Sequence, residues 1–98
     1  MSQQVEAKTS TWTFLTNHAH VLLCLAKSPT MRIRDIAVDV GITERAVQRV
    51  IADLIEEGFI KRHKDGRRNY YTICSDCALK HPIEWHKNIS DLIKLIYD

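Results

Sequence analysis

Apolar positions along this chain change their period several times, and each change marks an element. The segment from about Thr13 to Lys27, "TFLTNHAHVLLCLAK", reads as a helix capped by Ser10 or Thr11. "SPT" from Ser28 to Thr30 stops it, because Pro29 biases Ser28 away from helical angles. Its centre, "VLLCLA", is apolar nearly all round, which calls for cover on two sides and therefore for a second subunit. Ile33, Ile36, Ala37 and Val40 then follow helical spacing up to Gly41, which suits the left-handed residue that ends a helix, and Ile42 can plug the turn. Thr43 is the next N-cap, with Glu44 placed in the first turn where the helix dipole favours an acid. This helix runs to about Glu57, Gly58 closes it, and Val47, Val50, Ile51 and Leu54 form its inward stripe.

After Gly58 the period shortens to two. Phe59 to Lys64 and Arg67 to Ile73 are β-prone runs around Asp65-Gly66, a strong hairpin signal. A two-residue Asp65-Gly66 loop sets Ile60 opposite Tyr71, with Arg62, Lys64, Arg67 and Asn69 further out on that face. Thr30 to Ile33 is placed to add a short third strand. "CSDCALKHP" is a connector, and Pro82 suits the first turn of a last helix in which Ile89, Leu92, Ile93 and Ile96 make an apolar stripe. The fold class is thus mainly α with a small β-hairpin. Residues 1–98 form one domain, with a flexible N-terminus over 1–11 and a C-terminal dimerisation helix over 82–98.

Composition narrows this little, except in how charge is distributed. At 98 residues, 45% of them hydrophobic and 27% charged, the chain reads as a globular domain of a size at which a second copy adds useful core. No apolar run reaches the roughly 18 residues of a membrane span, and "MSQQVEAKTST" has no apolar stretch of the signal-peptide kind, so the cytosol is the expected compartment. The net charge of +2 says little about partners. Its distribution says more: Lys61 to Arg68 holds five lysines and arginines against one acid, whereas Cys74 to Asp98 holds three lysines against four acids.

Two short helices with a glycine turn and an apolar plug make a helix-turn-helix pattern, and the basic hairpin follows directly. Arg45, Gln48 and Arg49 lie on the face of the second helix opposite its apolar stripe. Arginine pairs bidentately with guanine and glutamine with adenine, so these are the donors a base-reading helix needs. Lys61, Arg62, Lys64, Arg67 and Arg68 on the hairpin suit phosphates or a minor groove. Read blandly, the first set is a solvated surface stripe and the second a solubilising edge hairpin. Side by side, they point to double-stranded DNA.

From "WTFLTNHAHVLLCLA" through "RIRDIAVDVGITERAVQRVIADLIEEGFIKR" to "GRRNYYTI", the chain resembles winged helix-turn-helix transcriptional regulators of the MarR and ArsR kind. The resemblance implies a homodimer on a pseudo-palindromic duplex site, and the apolar first and last helices are the surfaces through which it is expected to pair. It also implies a reading helix carrying Thr43, Arg45, Gln48 and Arg49 and a wing spanning Arg62 to Asn69.

Other chemistry is weaker. Three cysteines without disulfide-rich spacing are expected as reduced core residues. Cys74 and Cys77 with His81 and His86 have zinc-compatible donors. If His81 caps the last helix, however, His86 points about 140° away, so no metal ligand set is assigned. His18 and His20 diverge likewise and read as a polar dimer surface. Trp12, Phe14 and Trp85 read as core or dimer anchors. The sequence shows no nucleophile elbow, phosphate-cradling glycine loop or zinc-protease helix, so neither catalysis nor a cofactor is expected. The alternatives kept open are a protein-docking winged helix and a metal- or thiol-responsive DNA binder using Cys74 and Cys77.

Overall fold

The computed structural model describes residues 11–98. The predicted flexible terminus, 1–11, and the cap at Ser10 lie outside these residues apart from Thr11, which is exposed and not helical. The element order is α1 (Asn17–Lys27), α2 (Ile33–Val40), α3 (Glu44–Glu56), β1 (Ile60–Asp65), β2 (Arg68–Ile73) and α4 (Ile89–Tyr97).

Helix α1 starts four residues later than the sequence predicts. Thr16 caps it, its Oγ1 accepting from Ala19 N at 3.2 Å, and Ser28 N closes the other end on Cys24 O at 2.9 Å. The preceding "TWTFLT" is rich in β-branched and aromatic residues, which lose rotamer freedom in a helix, while Thr16 stands where a hydroxyl can satisfy an orphan N–H. Val21, Leu22 and Leu25 are buried against Ile36, Val47, Ile51 and Leu54 of the next two helices.

The α2–α3 pair forms as its sequence predicts. Gly41 adopts the left-handed conformation (φ 84°) and its N–H bonds Ala37 O at 2.8 Å; Ile42, half-buried, packs on the core. Thr43 Oγ1 then accepts from Ala46 N at 3.0 Å to start α3, whose Val47, Val50, Ile51 and Leu54 are all buried.

The hairpin register differs from the predicted one by two residues. Ile60 pairs with Ile73, Arg62 with Tyr71, and Asp65 with Arg68, so the loop is Gly66-Arg67 and not Asp65-Gly66. A loop at Asp65-Gly66 would require positive φ at an aspartate, whereas Gly66 (φ 65°) as the first loop residue confines that requirement to a glycine. A shift of two preserves side-chain parity. Ile60 and Tyr71 still face the core and Arg62, Lys64 and Asn69 still share their face, but Arg67 moves from strand to turn.

No third strand forms at Thr30 to Ile33; Pro29 O accepts Tyr71 N at 3.1 Å, and helix α2 has already begun at Ile33. The last helix is also shorter than predicted. Residues 82–87 form turns, closed by bonds such as Trp85 N to His81 O at 2.9 Å and Leu79 N to Lys87 O at 2.9 Å. Helix α4 begins at Ile89 behind a capping box in which Asn88 Oδ1 accepts from Asp91 N and Asp91 Oδ2 accepts from Asn88 N, both at 3.0 Å. Proline can open a helix but does not compel one, whereas the Asn88–Asp91 box satisfies two terminal N–H groups at once. His81 therefore does not cap α4; its Nδ1 accepts Ile83 N at 3.1 Å within the turns.

Candidate nucleic-acid interface

Helix α3 presents Arg45, Gln48 and Arg49 to solvent on the side opposite its buried stripe. Thr43 is exposed at its N-terminal end. Its hydroxyl oxygen is occupied by the Ala46 N–H, but the O–H hydrogen remains to donate outward. At the C-terminal end of the helix two acids are paired: His18 Nε2 on α1 donates to Asp53 Oδ2 at 2.8 Å, and Lys80 Nζ on the connector lies 3.1 Å from Oε1 of Glu57, the C-cap; Glu44 in the first turn and Glu56 have no ion pair among the described residues. The C-terminal half of α3 is thereby tied to α1 and the connector, and its N-terminal half carries the uncompensated arginines.

The wing holds the second set of cations. Lys61, Arg62, Lys64, Arg67, Arg68 and Asn69 are all exposed. Arg62 lies over the buried Tyr71 ring, 5.9 Å from its centroid, so its stem is held at the wing's root. Arg68 Nη2 reaches back 3.5 Å to Thr30 O. On the other face, His63 stacks on Tyr70 with 4.8 Å between centroids, and His63 Nε2 is 3.0 Å from Thr72 Oγ1. That face was not singled out by sequence, although His63 and Tyr70 are directly opposed in the observed register. Among the described residues neither ion pair involves any arginine or lysine of α3 or the wing.

Two clefts separate the charges further. One, of about 270 Å³, lies between the wing and the start of α2 and brings Arg32, which the sequence pattern does not flag, beside Arg67, Arg68 and Asn69. The other, of about 450 Å³, lies between α1, the end of α3 and the connector; Leu22, Leu54 and Phe59 line it, with Asp53, Glu56, Glu57 and Glu84 against His18 and Lys80. The two share no residue.

The cysteines differ from expectation. Cys74 and Cys77 are joined in a disulfide rather than standing as separate thiols, because the Cys77 N to Cys74 O turn brings their Cα atoms to 5.5 Å, within bridging range. Cys24 is the free thiol of the described residues. Among these residues no group of three or more His, Cys, Asp and Glu side chains is arranged to hold a metal ion, and no helix is long and apolar enough to cross a membrane.

The model of the MarR family matches residues 16–68, more than half of the chain. The chain belongs to the MarR family. Among solved structures, wild-type Lactococcus lactis ZitR in complex with DNA is similar to this MarR-family chain with a TM-score of 0.54 and 21% identity, covering 74% of this chain and 51% of that one. A cysteine-to-serine mutant of L. lactis ZitR gives 0.58 and 20% identity, covering 95% and 57%. A glutamate-to-alanine mutant gives 0.54 and 22%, covering 71% and 49%. These likenesses are of fold: four helices and a two-stranded antiparallel wing in the winged-helix arrangement. This chain spans about half the length of those it matches. No curated protein matches it in sequence.

Proposed function

We propose that this MarR-family chain is a sequence-specific, double-stranded-DNA-binding transcriptional regulator that acts as a cytosolic, non-catalytic homodimer. In this reading α3 enters the major groove, where Arg45, Gln48 and Arg49 read bases, and Thr43 fixes the register on phosphate. Lys61, Arg62, Lys64, Arg67, Arg68 and Asn69 of the wing meet flanking backbone or minor groove. The observation that carries the reading is the uncompensated charge: every cation of the two elements is exposed, and the acids of α3 that have ion-pair partners, Asp53 and Glu57, find them at its far end. A polyanion completes such a surface by counterion release. Membership of the MarR family and the fold shared with a DNA-bound ZitR support it.

The decisive experiment is selection of bound duplexes from a random pool, with the mass of the protein in solution measured alongside. The expected result is a pseudo-palindromic site whose half-site centres lie about one helical turn, roughly 34 Å, or a multiple of it apart, bound by two chains. A pool that shows no enrichment would instead favour a winged helix that docks an acidic protein.

The Cys74–Cys77 bridge favours a second reading, in which DNA binding responds to thiol state, since the bridge lies between the end of the wing and α4. DNA affinity measured oxidised, reduced and in Cys77→Ser would discard this version if all three values coincide.

A further inference from the structure

Resting on the DNA-binding reading, we propose that the cleft between the wing and the start of α2 is a clamp for one backbone phosphate, with Arg32 as its hitherto unassigned arm. Its lining brings Arg32, Arg67 and Arg68 together from two parts of the chain more than thirty positions apart in sequence, with the Asn69 side chain beside them and no carboxylate among the residues that form it.

The cleft is held in shape by the fold. Tyr71 N bonds Pro29 O at 3.1 Å and Arg68 Nη2 reaches Thr30 O at 3.5 Å, so the segment before α2 is fastened to β2, while Met31 N to Ser28 O at 3.0 Å closes a turn within that segment. Tyr71, 4% exposed, anchors its floor in the core. The three arginines are exposed at its mouth, and among the described residues none has an ion pair. The nearest acids on the same elements are Asp35, in the first turn of α2, and Asp65, paired across the strands with Arg68; neither lines the cleft.

Helix α2 adds to this. Arg32 is its N-cap residue and makes no side-chain cap bond, so the N–H groups of the first turn lack a side-chain acceptor and point the positive end of the helix toward the same region. A phosphodiester oxygen suits this set: guanidinium forks grip it from two sides without any charge having to be buried. Because α2 leads through the tight Gly41 turn into α3, a phosphate held here sits at a fixed offset from Arg45, Gln48 and Arg49. The clamp would thus set the register in which α3 reads.

The test is a duplex carrying the selected site in which single phosphates are replaced, one at a time, by neutral methylphosphonates. It is bound by wild type, Arg32→Gln and Arg68→Gln, with thermal melts to check that each variant folds. Wild type is expected to lose affinity on the order of tenfold at one phosphate per half-site, the scale of a charge-assisted bond. Arg32→Gln should lose part of that factor on the unmodified duplex and, with Arg67 and Arg68 still in place, clearly less than wild type at that one phosphate, with Arg32→Lys recovering part of the loss. Arg68→Gln should single out the same phosphate, and loss of the clamp should lower the salt slope by about 0.9 per half-site, the share of the one phosphate it neutralises. The proposal is overturned if Arg32→Gln binds as wild type, or if the Arg32 and phosphate losses simply multiply. It is also overturned if inorganic phosphate raises the melting temperature of wild type but not of Arg32→Gln while both bind DNA equally, which would make the cleft a free-anion site. Wild type binding no duplex at all would remove the DNA-binding reading itself, a result visible before any variant is compared.

Discussion

Arg49 and Arg67 carry the same charge and are both exposed, yet they stand on different elements and should fail differently. Arg49 projects from the exposed face of α3 proposed to read bases, where a bidentate contact to a base edge would discriminate by about 1–3 kcal/mol. Arg49→Ala should therefore weaken the selected site by that amount and relax base choice at one position. Arg67, in the wing turn, should on replacement by Ala weaken all duplexes about equally and flatten the salt dependence. Titrations of selected and scrambled duplexes at several salt concentrations separate the two, and an equal loss on both duplexes for Arg49→Ala would remove it as a reader. A different residue-scale prediction concerns Cys24. Burial pushes its thiol above the ordinary value of 9.0, Asp39 adds to the rise and Lys27 opposes it. Burial likewise raises Tyr97 above 10.0, with Cys24 adding to the rise. Both groups are thus held protonated by the fold, and the stability they contribute is complete below the unfolded values and is lost as pH rises through the raised ones. Alkylation of Cys24 should show a midpoint above that of an unstructured thiol. A midpoint at or below the ordinary value would contradict the assigned environment.

At the scale of elements, local chemistry decides what can be read in advance. The α2–α3 unit was legible because each boundary is set by its own residues: Gly41 supplies the left-handed turn, Thr43 the cap, and Val47, Val50, Ile51 and Leu54 a stripe with one period. The wing was legible as a hairpin but not in register, because Asp65-Gly66 and Gly66-Arg67 differ only in which residue must take positive φ. The start of α1 and of α4 was misplaced where several plausible caps compete, although Asn88 followed three residues later by Asp91 is a capping signal present in the sequence. Arg32 was missed for another reason: the sequence suggests Thr30 to Ile33 as a strand beside the hairpin, whereas the juxtaposition with β2 forms through the Tyr71 N to Pro29 O bond, and the strand reading does not join the charge of Arg32 to that of the wing. The cap argument makes a direct prediction. Thr43→Ala should destabilise the domain by about 1 kcal/mol, since the Ala46 N–H loses its acceptor, and Thr43→Ser should restore most of it. Chemical denaturation measures the stability difference. If Thr43 also donates to a phosphate, DNA affinity will fall in Thr43→Ala beyond what the unfolded fraction explains.

Across the described residues, large apolar exposure is absent from α3 and on the wing is confined to Tyr70, while Val38 on α2 is 75% exposed. The exposed large apolar side chains of the described residues stand mainly at the N-terminal segment, with Phe14 at 92%, on the connector, with Ile83 at 77%, and on α4, with Leu95 at 75%. Sequence periodicity asked for a second subunit to cover α1, but Tyr97 of the same chain covers part of it, its hydroxyl donating to Leu23 O at 2.8 Å and its ring lying 5.8 Å from Lys27 Nζ. What is left uncovered is the other side of α4, so the proposed dimer contact shifts toward the last helix. A two-fold axis there would pair two wings and two reading helices on one duplex, with the second half-site bound intramolecularly and affinity raised by about 10²–10⁴ over a single half-site. Leu95→Glu should fold normally, since Leu95 packs little within its own chain, yet run as a monomer in sedimentation. Its affinity for a two-half-site duplex should fall to that for one half-site. A variant that stays dimeric would move the interface away from α4, and a wild type that binds two half-sites no better than one would remove the dimer.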